Sequence, residues 1–162
     1  MNSMINFEIK EPDEFILPSD IIKAQCDAIK EKSNGHVVAK ISEVSYLTIS
    51  FSDDSDFDFQ DSNNQFQYEF FITSIATPNY KFRVLYIKYG IEGYPLRMLI
   101  DPGIAKELSS KQLMYCDTEV AFNEKLKNIL NTKKVQLVVN SLYAKAKRND
   151  YIAKWNDDEL PF

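Results

Sequence analysis

Tyr80-Lys81-Phe82-Arg83-Val84-Leu85-Tyr86-Ile87-Lys88-Tyr89 decides how the chain folds. Aromatic and aliphatic residues alternate loosely with Lys81, Arg83 and Lys88, the pattern of a strand with one apolar and one wetter face. Pro78-Asn79 is expected to turn the chain into this strand, and Gly90 and Gly93 to bracket the turn that leaves it. Tyr94, Leu96, Met98 and Ile100 then alternate as a further strand.

Strands also precede it. Phe66, Tyr68, Phe70 and Ile72 share one strand face. Val37, Ala39 and Ile41 alternate against Lys40 and Ser42, and Leu47, Ile49 and Phe51 against Tyr46, Thr48 and Ser50. The residues around Glu43 fit a tight hairpin between those two. Ile5-Asn6-Phe7-Glu8-Ile9 alternates as a short edge strand. Residues 52–65, poor in aliphatics and rich in Asp, Ser, Asn and Gln, read as a long loop.

Helices flank this strand region. Ser19 or Asp20 is the expected cap of a helix running to about Lys32, with Ile22, Cys26 and Ile29 on one face. Asn34-Gly35 ends it, Gly35 supplying the left-handed position. Asp101-Pro102 starts a short helix, and Asp117-Thr118 caps a second with Val120, Phe122, Leu126, Ile129 and Leu130. Thr132 caps a third, in which Val135, Val138, Val139, Leu142 and Ala146 repeat at helical spacing. Tyr151 to Trp155 lead from it into the tail. Runs of strands followed by runs of helices predict an α+β fold, a five-stranded antiparallel meander packed against helices. One domain is expected over residues 1–155, with an acidic interaction tip at residues 156–162.

The net charge of −5 is unevenly placed. Asp53, Asp54, Asp56, Asp58 and Asp61 form one acidic cluster, and Asp157, Asp158 and Glu159 another. Setting those eight acids aside turns −5 into +3, so the body is mildly basic. The first residues lack a signal-peptide pattern, and no apolar run approaches the roughly 20 residues of a membrane span, so a cytoplasmic chain with no membrane partner is expected. Cys26 and Cys116 stand apart and are read as free thiols.

Catalytic patterns are sparse. His36 is the only histidine and sits at a helix-to-strand turn. The Asp53–Asp61 cluster lacks the glycine and terminal Glu of an EF-hand, and is read as a solvated loop. Gly35, Gly90, Gly93 and Gly103 form no phosphate loop or dinucleotide fingerprint. No catalytic residue, metal or cofactor is expected, and the chain reads as a binder.

Tyr80, Phe82, Tyr86 and Tyr89 beside Lys81, Arg83 and Lys88 are what a single-strand-binding face uses: rings stack on bases while cations track phosphates. Alternation on a half-buried strand yields the same letters without a ligand. Lys145, Lys147 and Arg148 on the last helix are a second candidate phosphate-binding group, with a solvated helix face as the alternative.

The final stretch, Asp157-Asp158-Glu159-Leu160-Pro161-Phe162, places three acids before an apolar Leu-Pro-Phe end, with Phe162 expected to carry the free α-carboxylate. Pro161 stiffens the backbone, lowering the entropy lost on docking. An apolar pocket with a basic rim would receive such a tip. These residues resemble the C-terminal tip of bacterial single-stranded DNA-binding proteins, an acidic run followed by an aliphatic residue, Pro and Phe. Glu159 stands where that pattern has a third Asp, and the resemblance is confined to the tip. It implies single-stranded DNA as a ligand and replication or repair proteins as partners that recognise the tip, with self-association left open. Five consecutive strands also allow an oligonucleotide-binding (OB-like) barrel. The family resemblance would require a helix between the third and fourth strands, and Thr73 to Tyr80 is too short for one. The other reading is a non-enzymatic protein-binding module, of inhibitor or immunity type, whose acidic loop faces a basic partner.

Overall fold

A computed structural model describes residues 3–44 and 65–158 of the chain. Helix α1 (Pro18–Lys32) leads into β1 (Val37–Glu43). Strands β2 (Gln65–Ser74), β3 (Thr77–Gly90) and β4 (Leu96–Ile100) follow. Helix α2 (Pro102–Glu107), strand β5 (Leu113–Cys116) and helices α3 (Glu119–Leu130) and α4 (Lys133–Asp158) complete the described chain. The five strands hydrogen-bond in sequence order and every pair is antiparallel. The fold is α+β, an open meander with helices on one face; the sheet does not close into a barrel.

The helix starts follow from local chemistry. Pro18 occupies the first turn of α1, where its missing N–H costs nothing, and the Asp20 carboxylate accepts the Leu17 N–H at 2.9 Å. The cap is therefore Leu17 rather than Ser19 or Asp20, because the proline pulls the helix start forward. Asn34 and Gly35, at φ 52° and 81°, end the helix in left-handed geometry. The Asp101 carboxylate accepts from Gly103 N at 2.9 Å and Ile104 N at 3.1 Å, opening α2. Thr118 Oγ1 accepts from Ala121 N at 3.2 Å to open α3. At α4, Thr132 Oγ1 accepts from Val135 N at 3.4 Å, while the Glu107 carboxylate accepts the Lys133 and Lys134 amides. Helix α4 runs on through Tyr151 to Trp155 and ends at Asp158.

Several sequence expectations are corrected. Ile5, Phe7 and Ile9 join no strand and are exposed, since alternation alone supplies no neighbouring edge to pair with. The hairpin before β3 turns at Ile75-Ala76, and Pro78 and Asn79 lie inside the strand. They fit because the register slips between Ile72 and Ser74, leaving Pro78 in a bulge where no ladder donor is required. Thr73 Oγ1 donates to the Tyr80 carbonyl across that bulge at 2.6 Å. Strand β4 starts at Leu96, after the cis Tyr94-Pro95 bond, not at Tyr94. Strand β5 was not anticipated from its four residues. Strand β1 pairs with β2; the expected strand Leu47–Phe51 and the acidic loop lie outside the described residues.

The main core lies between the sheet and the helices. Val37, Phe70, Ile72, Ile87, Leu96, Met98 and Cys116 from the sheet meet Ile22, Cys26, Phe122, Leu126, Ile129, Val135 and Leu142 from the helices. Each fully buried aliphatic or aromatic side chain contributes roughly 1.5–3 kcal/mol, so this layer dominates the stability. Cys26 and Cys116 are free and buried within it, and burial pushes the Cys26 thiol up to about 12.

Candidate nucleic-acid interface

The opposite sheet face has a different composition. Strand pairing aligns Gln67, Lys88, Arg97 and Tyr115 in one row across β2 to β5. The next row holds Ser42, Glu69, Tyr86, Leu99 and Leu113. Phe71 and Arg83 pair beyond it, beside Lys40. Tyr86, Leu99 and Leu113 form a small second apolar cluster with Val44, and among the described residues no helix side chain enters it.

Arg83 and Tyr86 share this face because of a bulge. Phe70 pairs with Leu85 but Phe71 pairs with Arg83, so Val84 is an extra residue in β3. The alternation changes phase there. Before the bulge the outward positions are Lys81 and Arg83; after it they are Tyr86 and Lys88. Val84 is buried in the main core, and its carbonyl accepts the Asp101 N–H at 3.0 Å.

Glu69 organises the charges. Its side chain is about one-tenth exposed, and it forms an ion pair with Lys81 and lies 3.6 Å from Arg83 Nη1. Arg83 Nη1 also donates to the Tyr86 hydroxyl. Each cation lies over a ring: Lys81 Nζ is 4.4 Å from the Phe71 centroid and Arg83 Cζ 4.5 Å from that of Tyr86. Burial is the largest cause that pushes the Tyr86 phenol up to about 12; Arg83 works against it and Glu69 with it.

The expected nucleic-acid residues separate into two sets. Lys81, Arg83 and Tyr86 come together, with the half-exposed cations at the surface and Tyr86 at 6% exposure. Tyr80 is 42% exposed but alternates with Lys81 and Arg83 as Phe82 does, while Lys88 shares the face of Tyr86 and is only 1% exposed. Phe82 and Tyr89 point the other way, Tyr89 buried in the main core and Phe82 packed on it, with Lys134 Nζ 5.3 Å from the Phe82 ring centroid. Lys145, Lys147 and Arg148 are exposed on α4, in the helix layer, so they cannot extend the sheet-face site directly. Of the expected partner-binding residues, Asp157 and Asp158 end α4, and Glu159, Leu160, Pro161 and Phe162 lie outside the described residues.

Glu69 and Phe71 were missed as site residues. Their signal was the complement of the apolar face: if Phe66, Tyr68, Phe70 and Ile72 point inward, Gln67, Glu69 and Phe71 point outward. His36 serves its turn, with Nδ1 3.0 Å from the Ser33 carbonyl oxygen and its ring edge-on to Tyr143. No helix among the described residues is long and apolar enough to cross a membrane. No protein-family model, curated protein or solved structure matches the chain.

Proposed function

We propose that the chain binds single-stranded DNA on the sheet face opposite the described helices, in the cytoplasm, and recruits replication or repair proteins through Asp157-Asp158-Glu159-Leu160-Pro161-Phe162. The observation that carries this reading is the grouping of Lys81, Arg83 and Tyr86 on a face that none of the described helices packs against. Cations for phosphates and rings for bases are the two components of sequence-tolerant single-strand recognition. On this reading the chain is a binder, not an enzyme, and its acidic end docks apolar residues into a partner with a basic rim.

Titration of oligo(dT) into the intact protein at several salt concentrations tests it. The paired substitutions Lys81→Ala and Arg83→Ala should weaken binding at least about tenfold and flatten the salt dependence by about 0.7 for each phosphate no longer neutralised. A chain ending at Asn156 should keep its DNA affinity and lose capture of tip-recognising helicases and exonucleases. Unchanged affinity and salt slope in the double variant removes the sheet face from the reading.

One observation favours a second reading: Glu69 already pairs with Lys81 and Arg83 inside the chain. In that reading the protein is a non-enzymatic protein-binding module of inhibitor or immunity type, using the acidic residues Asp53 to Asp61 against a basic partner. Absence of oligonucleotide binding even at low salt would select it.

A further inference from the structure

Glu69 stands where a ligand's anion would stand. Its two carboxylate oxygens engage separate cations, one on Lys81 and the other 3.6 Å from Arg83. Those same cations cover Phe71 and Tyr86, the two rings beside them on the face. A single carboxylate thus holds both cations in place over both rings. Tyr86 lies directly opposite Glu69 in the strand register, and Phe71 is two residues further along β2 on the same face.

We propose that Glu69 is an internal stand-in for a phosphodiester, and that a single strand binds by displacing it. This rests on the proposed sheet-face function and adds a specific order to it. A phosphate draws Lys81 and Arg83 away from Glu69, the cations leave the rings, and Phe71 and Tyr86 become stacking surfaces for the flanking bases. The site then takes a phosphate with a base on each side, an oligonucleotide rather than free phosphate. Displacement carries a cost, because a mostly buried carboxylate loses both its cations. Removing the charge at Glu69 removes that cost.

The experiment compares the intact protein with Glu69→Gln by oligo(dT) titration across a salt series, with inorganic phosphate as a second probe. Glu69→Gln should bind oligo(dT) on the order of tenfold more tightly, because the ligand no longer has to break a charge-assisted ion pair. Its salt slope should steepen by about one ion, since no freed carboxylate takes up a cation on binding. The gain should vanish when Lys81→Ala and Arg83→Ala are added to Glu69→Gln, and Phe71→Leu in that background should weaken binding roughly tenfold by removing a stacking ring. Inorganic phosphate should compete only weakly with oligo(dT). Far-ultraviolet circular dichroism of each variant establishes that the fold is retained. Should Glu69→Gln match the intact protein while Lys81→Ala with Arg83→Ala still weakens binding, the displacement is wrong and the sheet-face reading stands. Should neither the intact protein nor Glu69→Gln bind oligo(dT) at low salt, both fall.

Discussion

Strand β2 has two faces, and neighbouring phenylalanines separate them. Phe70 is fully buried between the sheet and the helices, whereas Phe71 lies half-buried on the other side beneath Lys81. One face is apolar from β1 to β5 and is filled by α1, α3 and α4. The other carries Glu69, Arg83, Lys88 and Arg97 with a few rings. The difference teaches how each face accommodates its side chains. Burial against helices stabilises by area and tolerates no charge, while the second face keeps charged groups by pairing them.

The sharpest way to break this comparison is to truncate both phenylalanines separately. Phe70→Ala should destabilise by about 3–5 kcal/mol, the transfer and cavity terms of a closed site. Phe71→Ala should cost about 1 kcal/mol, the scale of a half-exposed cation–π interaction. Urea denaturation of the two variants measures the gap. Equal losses would mean that the second face is a core in its own right, leaving no binding surface there.

A smaller effect is expected where the helix layer meets the end of β4. The Asp101 carboxylate caps α2 and pairs with Lys134 on α4, so one side chain joins two helices. Asp101→Ala should cost about 1–2 kcal/mol, mostly from removal of the cap. Asp101→Asn keeps a capping oxygen and removes the charge, so thermal melts of the two variants separate the cap from the ion pair. A larger loss for Asn than for Ala would break this assignment.

Most of the apolar face was legible in the sequence. Alternation at Phe66, Tyr68, Phe70 and Ile72, and helical spacing from Val135 to Ala146, each repeat with one period that burial then reads out. The caps at Asp101, Thr118 and Thr132 were legible because a cap is local chemistry. The second face was only partly legible. A strict two-residue period separates Arg83 from Tyr86, and the extra residue Val84 reunites them; nothing in the letters Arg-Val-Leu-Tyr marks that bulge. Glu69 escaped because a lone acid on a strand resembles any solvated position until its cross-strand cations are known. Ile5 to Ile9 failed for the opposite reason: the pattern was right for a strand, but pairing depends on an edge elsewhere in the chain.

The smallest expected effect at neutral pH sharpens the comparison in alkali. Tyr86 on the second face and Tyr89 on the core face are both pushed from 10.0 up to about 12, chiefly by burial. In the unfolded chain each phenol releases its proton near 10, whereas the folded chain holds it to about 12. The stability tied to these protons is therefore complete below 10 and lost as pH rises from there through 12. Tyr94 and Cys26 are raised to about 12 as well, Cys26 from 9.0, so the overall decline begins nearer 9. Tyr86→Phe and Tyr89→Phe should each cost about 1 kcal/mol at pH 8 for the missing hydroxyl bonds to Arg83 and Ser19, and each should make the alkaline decline shallower. Urea midpoints from pH 8 to 11 and phenolate absorbance of the intact chain provide the readouts. If the phenolate signal that Tyr86→Phe removes titrates near 10 while that removed by Tyr89→Phe stays near 12, water reaches the second face freely. The two faces would then differ in solvation as well as in charge, and the proposed stacking on Tyr86 would need no displacement of Glu69.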